Sequence, residues 1–247
     1  MAQPSLRSRL VGKIPQVADI VTFQLERPPG YEYRAGQWFV ITFPGPAEPY
    51  EHHFSHSNSP TEPLLEFTTR LRGSEFKDAL DALPVGAEVE VEGPYGAFTL
   101  GDDPGQVAFI SGGIGMTCVR SILRWLAGLG GSSGAVPSPR HEVPRRIVVI
   151  DANRSEETIP FRSELVEIET LLPALRVVHV LSHPDTGWAG YRGHIDESVL
   201  TREIPEPDLW SYYLSGPPSL VQSMQELLLG WGIGSAAIRA ERFEGYE

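Results

Sequence analysis

The chain has 247 residues, 41% of them hydrophobic, and sets 20 basic against 32 acidic side chains for a formal charge of −12. That length supports two ordinary cores, and that charge argues against a general nucleic-acid or anionic-membrane binder. With no apolar run of membrane-spanning length and no apolar leader after Met1, the chain reads as soluble and cytoplasmic. Its one cysteine, Cys118, excludes an intrachain disulfide framework, a thiolate iron-sulfur cluster and a cysteine-built zinc site. A metal centre that exchanges electrons with this chain therefore belongs to another molecule.

From Ser5 to about Leu100 the runs are short and strand-like: Val21–Leu25, Gln37–Phe43, Leu64–Arg70 and Glu88–Glu92, each bounded by Pro, Gly or Asp. This spacing predicts a small antiparallel barrel. One helix interrupts it, expected over Ser74–Leu83, with Phe76, Leu80 and Leu83 on a single face. From Gln106 the rhythm becomes strand then helix: Val107–Ser111, Met116–Leu126, Arg146–Asp151, Phe161–Leu172, Arg176–Leu181, Tyr212–Ser215, Ser219–Leu229 and Ala236–Ala240. Alternation of this kind implies a parallel sheet covered by helices. The turn-rich Gly101–Gly105 predicts a boundary, giving domains at 1–102 and 103–247. Gly128–Arg145, rich in Gly, Ser and Pro, reads as a surface loop.

Four segments carry chemistry. Gly112-Gly113-Ile114-Gly115-Met116-Thr117 follows a strand pattern and opens a helical one, an arrangement whose free amides bind a phosphate. In Glu51-His52-His53-Phe54-Ser55-His56, strand alternation sets His52, Phe54 and His56 on one face and His53 and Ser55 on the other. The plain reading is an aromatic strand with polar neighbours, His53 serving structurally. A metal set of Glu51, His52 and His56 is a weaker reading, because no clear third or fourth ligand stands nearby. Gly93-Pro94-Tyr95-Gly96 reads as a tight turn, and Gly216-Pro217-Pro218 as a helix start. Cys118 is more economically a small packing residue than a reactive thiol.

Taken together, in this order and from Arg34 to Phe243, these segments resemble the ferredoxin-NADP reductase superfamily. The His-x-Phe-Ser stretch is similar to that family's Arg-x-Tyr-Ser flavin motif, and Gly112–Thr117 to its Gly-Gly-x-Gly-x-Thr-Pro loop, with Cys118 in place of Pro. Asn153-Arg154-Ser155 matches its Asn-Arg-Ser/Thr element, and Ser215-Gly216-Pro217-Pro218 its Cys-Gly-Pro-Pro signature with Ser for Cys. Ser182-His183 stands where NADPH-selective members commonly carry Ser-Arg, and Glu241-Arg242-Phe243 resembles the terminal Glu-x-aromatic.

The resemblance implies a six-stranded antiparallel β-barrel flavin domain followed by an α/β parallel-sheet nucleotide domain. It implies FAD, with FMN as the alternative, and NADPH or NADH as co-substrate, but no metal. His52 would contact the flavin phosphate or ribityl region, and Phe54 would lie against the ring. Ser55 would bond near N5, with His53, Arg70, Gly73, Ser74 and Gly96 completing the flavin set. Gly112, Gly113, Gly115, Thr117, Asn153, Arg154, Ser155, Ser182, Gly216 and Pro217 would hold the nicotinamide dinucleotide. Phe243 would cover the flavin, with Tyr246 as substitute, and Ser55, Ser215 and Glu241 would form the catalytic set around N5. Histidine in place of arginine predicts phosphate binding that weakens as pH rises. The implied activity is hydride transfer from NAD(P)H to FAD, with electrons passed to a separate acceptor such as a ferredoxin-like or haem protein. Alternatives are a flavin or ferric-chelate reductase, and an electron-transfer subunit of a larger complex.

Overall fold

A computed structural model describes residues 4–101, 105–130 and 143–243. Six strands form the first sheet: β1 (Leu6–Pro15), β2 (Ile20–Glu26), β3 (Trp38–Phe43), β4 (Tyr50–Ser55), β5 (Leu64–Arg70) and β6 (Glu88–Tyr95). They run antiparallel in the order β4-β3-β6-β1-β2-β5, and a bridge between His56 and Phe67 joins the two ends, so the sheet closes into the expected barrel. Alternation drives the closure. Phe39, Ile41 and Phe43 of β3 point inward, as do Phe23 and Leu25 of β2 and Leu65 and Phe67 of β5. Each buried side chain of this size contributes about 1.5–3 kcal/mol.

Helix α1 (Glu75–Ala82) packs against this barrel, its N-cap Ser74 accepting from Lys77 N. The expected face was Phe76, Leu80 and Leu83; the structure buries Lys77 and Leu80 most deeply. Lys77 takes an inner position because its stem is apolar and its ammonium finds Thr69 Oγ1 and the ring faces of Phe54 and Phe76.

The second sheet is parallel, in the order β10-β9-β8-β7-β11-β12. Its strands are β7 (Gln106–Gly112), β8 (Arg146–Asn153), β9 (Leu175–Leu181), β10 (Tyr191–Arg192), β11 (Trp210–Gly216) and β12 (Ile238–Arg242). Helices α2 (Met116–Gly130) and α3 (Arg162–Leu171) cover one face, and α4 (Glu197–Glu203) and α5 (Pro218–Gly230) the other, so both faces bury apolar layers. The strands of the two sheets fall within 6–95 and 106–242. We propose the domain boundary between them at 102/103; residues 102–104 and most of the 128–145 loop lie outside the described residues. Among the described residues, no helix is long and apolar enough to cross a membrane.

Salt-linked arginines fasten the halves together. Arg120 of α2, buried, donates to Ser57 O at 2.7 Å and pairs with Glu66 of β5 at 3.1 Å and Glu164 of α3 at 2.8 Å. One helical turn on, Arg124 grips Glu62 and Glu164. Between them Ser121 Oγ donates to Asn58 O at 2.6 Å. The i, i+4 spacing sets both arginines on the side of α2 that meets the barrel.

Candidate functional site

The sequence dictates a tight turn after β7. Gly112 ends the strand, a single 3-10 turn covers Gly113–Gly115, and α2 begins at Met116. Gly115 is required by packing: a Cβ there would lie 2.5 Å from Ser215 O and 2.6 Å from Gly216 Cα. At Gly112 the nearest obstacle is the movable end of a side chain, Leu220 Cδ2, 2.6 Å from an added Cβ. These contacts let the β7 turn nest against the end of β11, where Ser215 Oγ donates to Gly115 O at 3.0 Å. A Gly115→Ala variant is expected to lose about 1–3 kcal/mol, since the obstacle is backbone and cannot rotate away. A denaturant melt checks this.

Beside the turn lies a cleft of about 890 Å³, lined by Gly112, Gly113, Asn153, Arg154, Ser182, His183 and Pro217 from the second sheet. The same cleft is walled by Asp19, Arg70 and Arg72 from the barrel. Asp19 holds both arginines, at 3.1 Å from Arg70 and 2.9 Å from Arg72. Arg70, assigned by the resemblance to the flavin, thus reaches the cleft that the glycine turn opens. The walls offer amides and several cations against one carboxylate, which suits a phosphate-bearing dinucleotide. Ser155 begins the next short turn, where its N–H donates to Thr158 Oγ1 at 3.0 Å, and Thr117 is buried in the first turn of α2.

A second cluster forms where barrel and sheet meet. Ser215 and Glu241 are register partners on β11 and β12. Burial pushes the Glu241 carboxyl up to about 7, opposed by the neighbouring Ser55 hydroxyl. Ser55 Oγ and Glu241 Oε2 are nonetheless both buried without a formed hydrogen bond. Orphaned polar atoms are costly when dry, and two of them at one place fit a ring that carries its own hydrogen-bonding atoms. The flavin named by the resemblance meets that requirement. Ser55, Ser215 and Glu241, predicted from segments 160 and 26 residues apart, are therefore brought together. Phe243 follows on, its N–H donating to Gly216 O at 2.9 Å and its ring packing on the core beneath α2. Tyr246 lies outside the described residues. Cys118 is fully buried behind this cluster, where desolvation holds its thiol well above the usual range.

The rest of the flavin stretch sits differently. His52 and Phe54 pair in register with Ile41 and Phe39 and so face the barrel interior. Phe54 stacks on Phe67 at 4.5 Å and has Lys77 Nζ 4.7 Å from its centroid. His52 is pushed down to about 4, by burial first and then by the Lys77 and His53 charges. It is therefore neutral through the physiological range, and the expected weakening of phosphate binding with rising pH moves into acid. His53 is exposed beside Trp38. His56 is a core residue, stacked 3.7 Å from Tyr33, with Nε2 3.1 Å from Tyr31 Oη, and burial keeps it neutral. Gly73 precedes the Ser74 cap with φ of 80°, and Gly96 lies against Trp38, whose Cδ1 would be 2.6 Å from an added Cβ.

Sequence reasoning missed Lys77, Asp19, Arg120, Arg124 and Asp151. Only the arginines carried a signal, as two cations four residues apart on an otherwise apolar helix.

Comparison with known proteins places this geometry. Residues 109–226 match the family of oxidoreductase NAD-binding domains. Ferredoxin–NADP reductase B of Sorangium cellulosum is 28% identical over 98% of this chain and 99% of its own length. The glycine betaine monooxygenase reductase subunit of Pseudomonas aeruginosa is 27% identical, and the nitrate reductase [NADPH] of Emericella nidulans 28%. The chain spans 63% of the former and 26% of the latter, matching 95% and 86% of itself. A ferredoxin NADP+ reductase from Neisseria gonorrhoeae, solved with bound FAD and NADP, superposes with a TM-score of 0.80 at 16% identity, over 96% of this chain and 98% of that one. Barrel, parallel sheet, glycine turn and these relatives converge: residues 109–226 match the oxidoreductase NAD-binding domain, and the whole chain is similar to the FAD- and NAD(P)-binding reductases of the ferredoxin-NADP reductase superfamily.

Proposed function

We propose that the chain is an NAD(P)H-dependent, FAD-containing oxidoreductase that delivers electrons to a separate acceptor. The observation that carries this reading is the meeting of Ser55, Ser215 and Glu241, with two orphaned polar atoms, next to the turn that walls the dinucleotide cleft. Bound FAD would supply hydride acceptance and release of electrons to the acceptor. The chain's own residues position and shield. Gly112 and Gly113 present amides to the coenzyme pyrophosphate, Arg154 and His183 flank its far end, and Gly216 with Pro217 shapes the wall beside the nicotinamide. Ser55 offers a hydroxyl able to donate or accept, and Glu241 holds or releases a proton at Oε2 near neutral pH. Phe243 closes the ring site against water.

Relatives named as the reductase subunit of a glycine betaine monooxygenase, in Pseudomonas aeruginosa, and of a stachydrine N-demethylase, in Rhizobium meliloti, support an acceptor on another protein. Of the five basic residues within the first 34, three direct donors at backbone carbonyls. Arg27 donates to Tyr31 O, Pro60 O and Glu62 O, Arg34 to Leu100 O and Lys13 to Asp81 O. A second reading, a flavin or ferric-chelate reductase that releases its flavin, is favoured by one observation: neutral His52 supplies no charge to a flavin phosphate.

Gel filtration separates the two, since yellow colour that travels with the protein supports bound FAD and colourless protein supports flavin as substrate. Anaerobic mixing with NADH or NADPH then tests the reaction, and a flavin spectrum that neither bleaches ends the catalytic reading. Arg154→Ala is expected to raise the KM for NADPH by about tenfold and that for NADH less, because a charge-assisted bond to a 2′-phosphate is worth about 1.5–3 kcal/mol. Steady-state kinetics with both coenzymes measure the ratio.

A further inference from the structure

Behind the cleft stands a fully buried carboxylate that the proposed reaction does not use. Asp151 of β8 has Ser111 of β7 and His179 of β9 as register partners, so all three side chains point to one face of the sheet. Asn153, two residues further along β8, points the same way. Ser111 Oγ donates to Asp151 Oδ1 at 2.9 Å, Asn153 Nδ2 donates to Oδ2 at 2.6 Å, and His179 Nδ1 lies 3.2 Å from Oδ2.

An ionised carboxylate only accepts, whereas a carboxamide has one end that donates and one that accepts. The Asn153 amide is thus fixed in one sense, because turning it over would set its oxygen against the carboxylate. Its main chain is fixed as well, since Asn153 O accepts from Ser182 N at 3.0 Å. Asn153 lines the cleft beside Gly112 and Arg154.

We propose that Asp151 is a positioning residue: it holds the Asn153 carboxamide with its oxygen turned from the carboxylate toward the cleft, as the acceptor for a hydrogen-bond donor of the dinucleotide. That donor is a ribose hydroxyl or the nicotinamide carboxamide N–H. The inference rests on the nucleotide reading of the cleft and adds to it a selection for donors at this wall.

The full chain loaded with FAD provides the test. Asp151→Leu is expected to raise the KM for the preferred coenzyme about tenfold, the loss of one buried hydrogen bond, with kcat held within about twofold. Asp151→Asn is expected to stay within about threefold of the parent, since it can turn its oxygen to Asn153 and its amide to the adaptable Ser111 hydroxyl. In an Asn153→Ala background, Asp151→Leu should change KM no further. An unchanged KM in Asp151→Leu, or an equal effect in the Asn153→Ala background, would overturn the proposal. Should Asp151→Leu fail to fold, two coenzyme analogues decide. One lacks the carboxamide N–H and the other an adenosine ribose hydroxyl. One of them should lose about tenfold in affinity for the parent and nothing for Asn153→Ala, and which one does so names the donor. Equal ratios for both proteins would overturn the proposal. A parent enzyme that no coenzyme reduces removes the nucleotide reading itself, whereas an active parent with unmoved variants removes this inference alone.

Discussion

Replacing Arg120 by methionine is expected to destabilise the protein by about 3–5 kcal/mol, the cost of taking one partner from a buried ion pair. The guanidinium joins three elements at once: β5 through Glu66, α3 through Glu164 and the segment after β4 through Ser57 O. It also lies 4.5 Å from the centroid of the Phe161 ring. Methionine keeps much of the packing and removes every donor, so Glu66 and Glu164 would face each other's charge without relief. Lysine is no substitute, because a point charge cannot reach both carboxylates and a carbonyl as a planar fork does. Arg124→Met should cost less, since its side chain is 30% exposed and water screens the loss. Urea unfolding of both variants gives the comparison, and an Arg120→Met protein as stable as Arg124→Met would show that the buried pair holds nothing.

Glu241→Gln is expected to lower the rate of flavin reduction by about a hundredfold, at the lower end of what a positioned acid or base contributes, while making the protein more stable above pH 7. The two effects share one cause. Burial raises the Glu241 carboxyl from 4.5 to about 7, so the folded state prefers it protonated. Stability from that preference is complete below the unfolded value near 4.5 and is lost as pH rises through about 7. Above this the folded protein carries a poorly solvated charge, costing at most about 3 kcal/mol for a shift of this size. Glutamine stays neutral at every pH and escapes the cost, but it cannot take up or release a proton beside Ser55. Thermal melts of parent and variant at pH 4 and pH 8 should converge at the lower pH and separate at the higher. Rapid-mixing kinetics on the same samples check the rate, and a variant that reduces as fast as the parent would leave Glu241 without a role in the chemistry.

How far the sequence spoke depends on the range of the interaction. Short runs rich in apolar, aromatic and β-branched residues, such as Trp38–Phe43 and Leu64–Arg70, announced barrel strands because strand propensity is local, and the glycine turn announced itself because only glycine tolerates the approach of Ser215 O. Strand β1 went unread, as its Arg7, Arg9 and Lys13 mask a single buried column through Ser8 and Leu10. Two-residue β10 and seven-residue α4 were too short to show a period, although Asp196 caps α4 by accepting from Val199 N. In the site, motif order brought Ser55, Ser215 and Glu241 to one place. The inward turn of Phe54 and the buried Lys77 above it were invisible, because both follow from how α1 seats on the barrel. The same holds for Asp151, whose partners come from three strands and become neighbours only through sheet register.

The fastening of α2 to the barrel has a kinetic corollary. Arg120, Ser121 and Arg124 begin only five residues after Gly115, so α2 ties the glycine turn to the barrel wall. A dinucleotide arriving from solution finds a lock already cut, and the interface backbone has little reason to rearrange. Association should then proceed in one diffusive step.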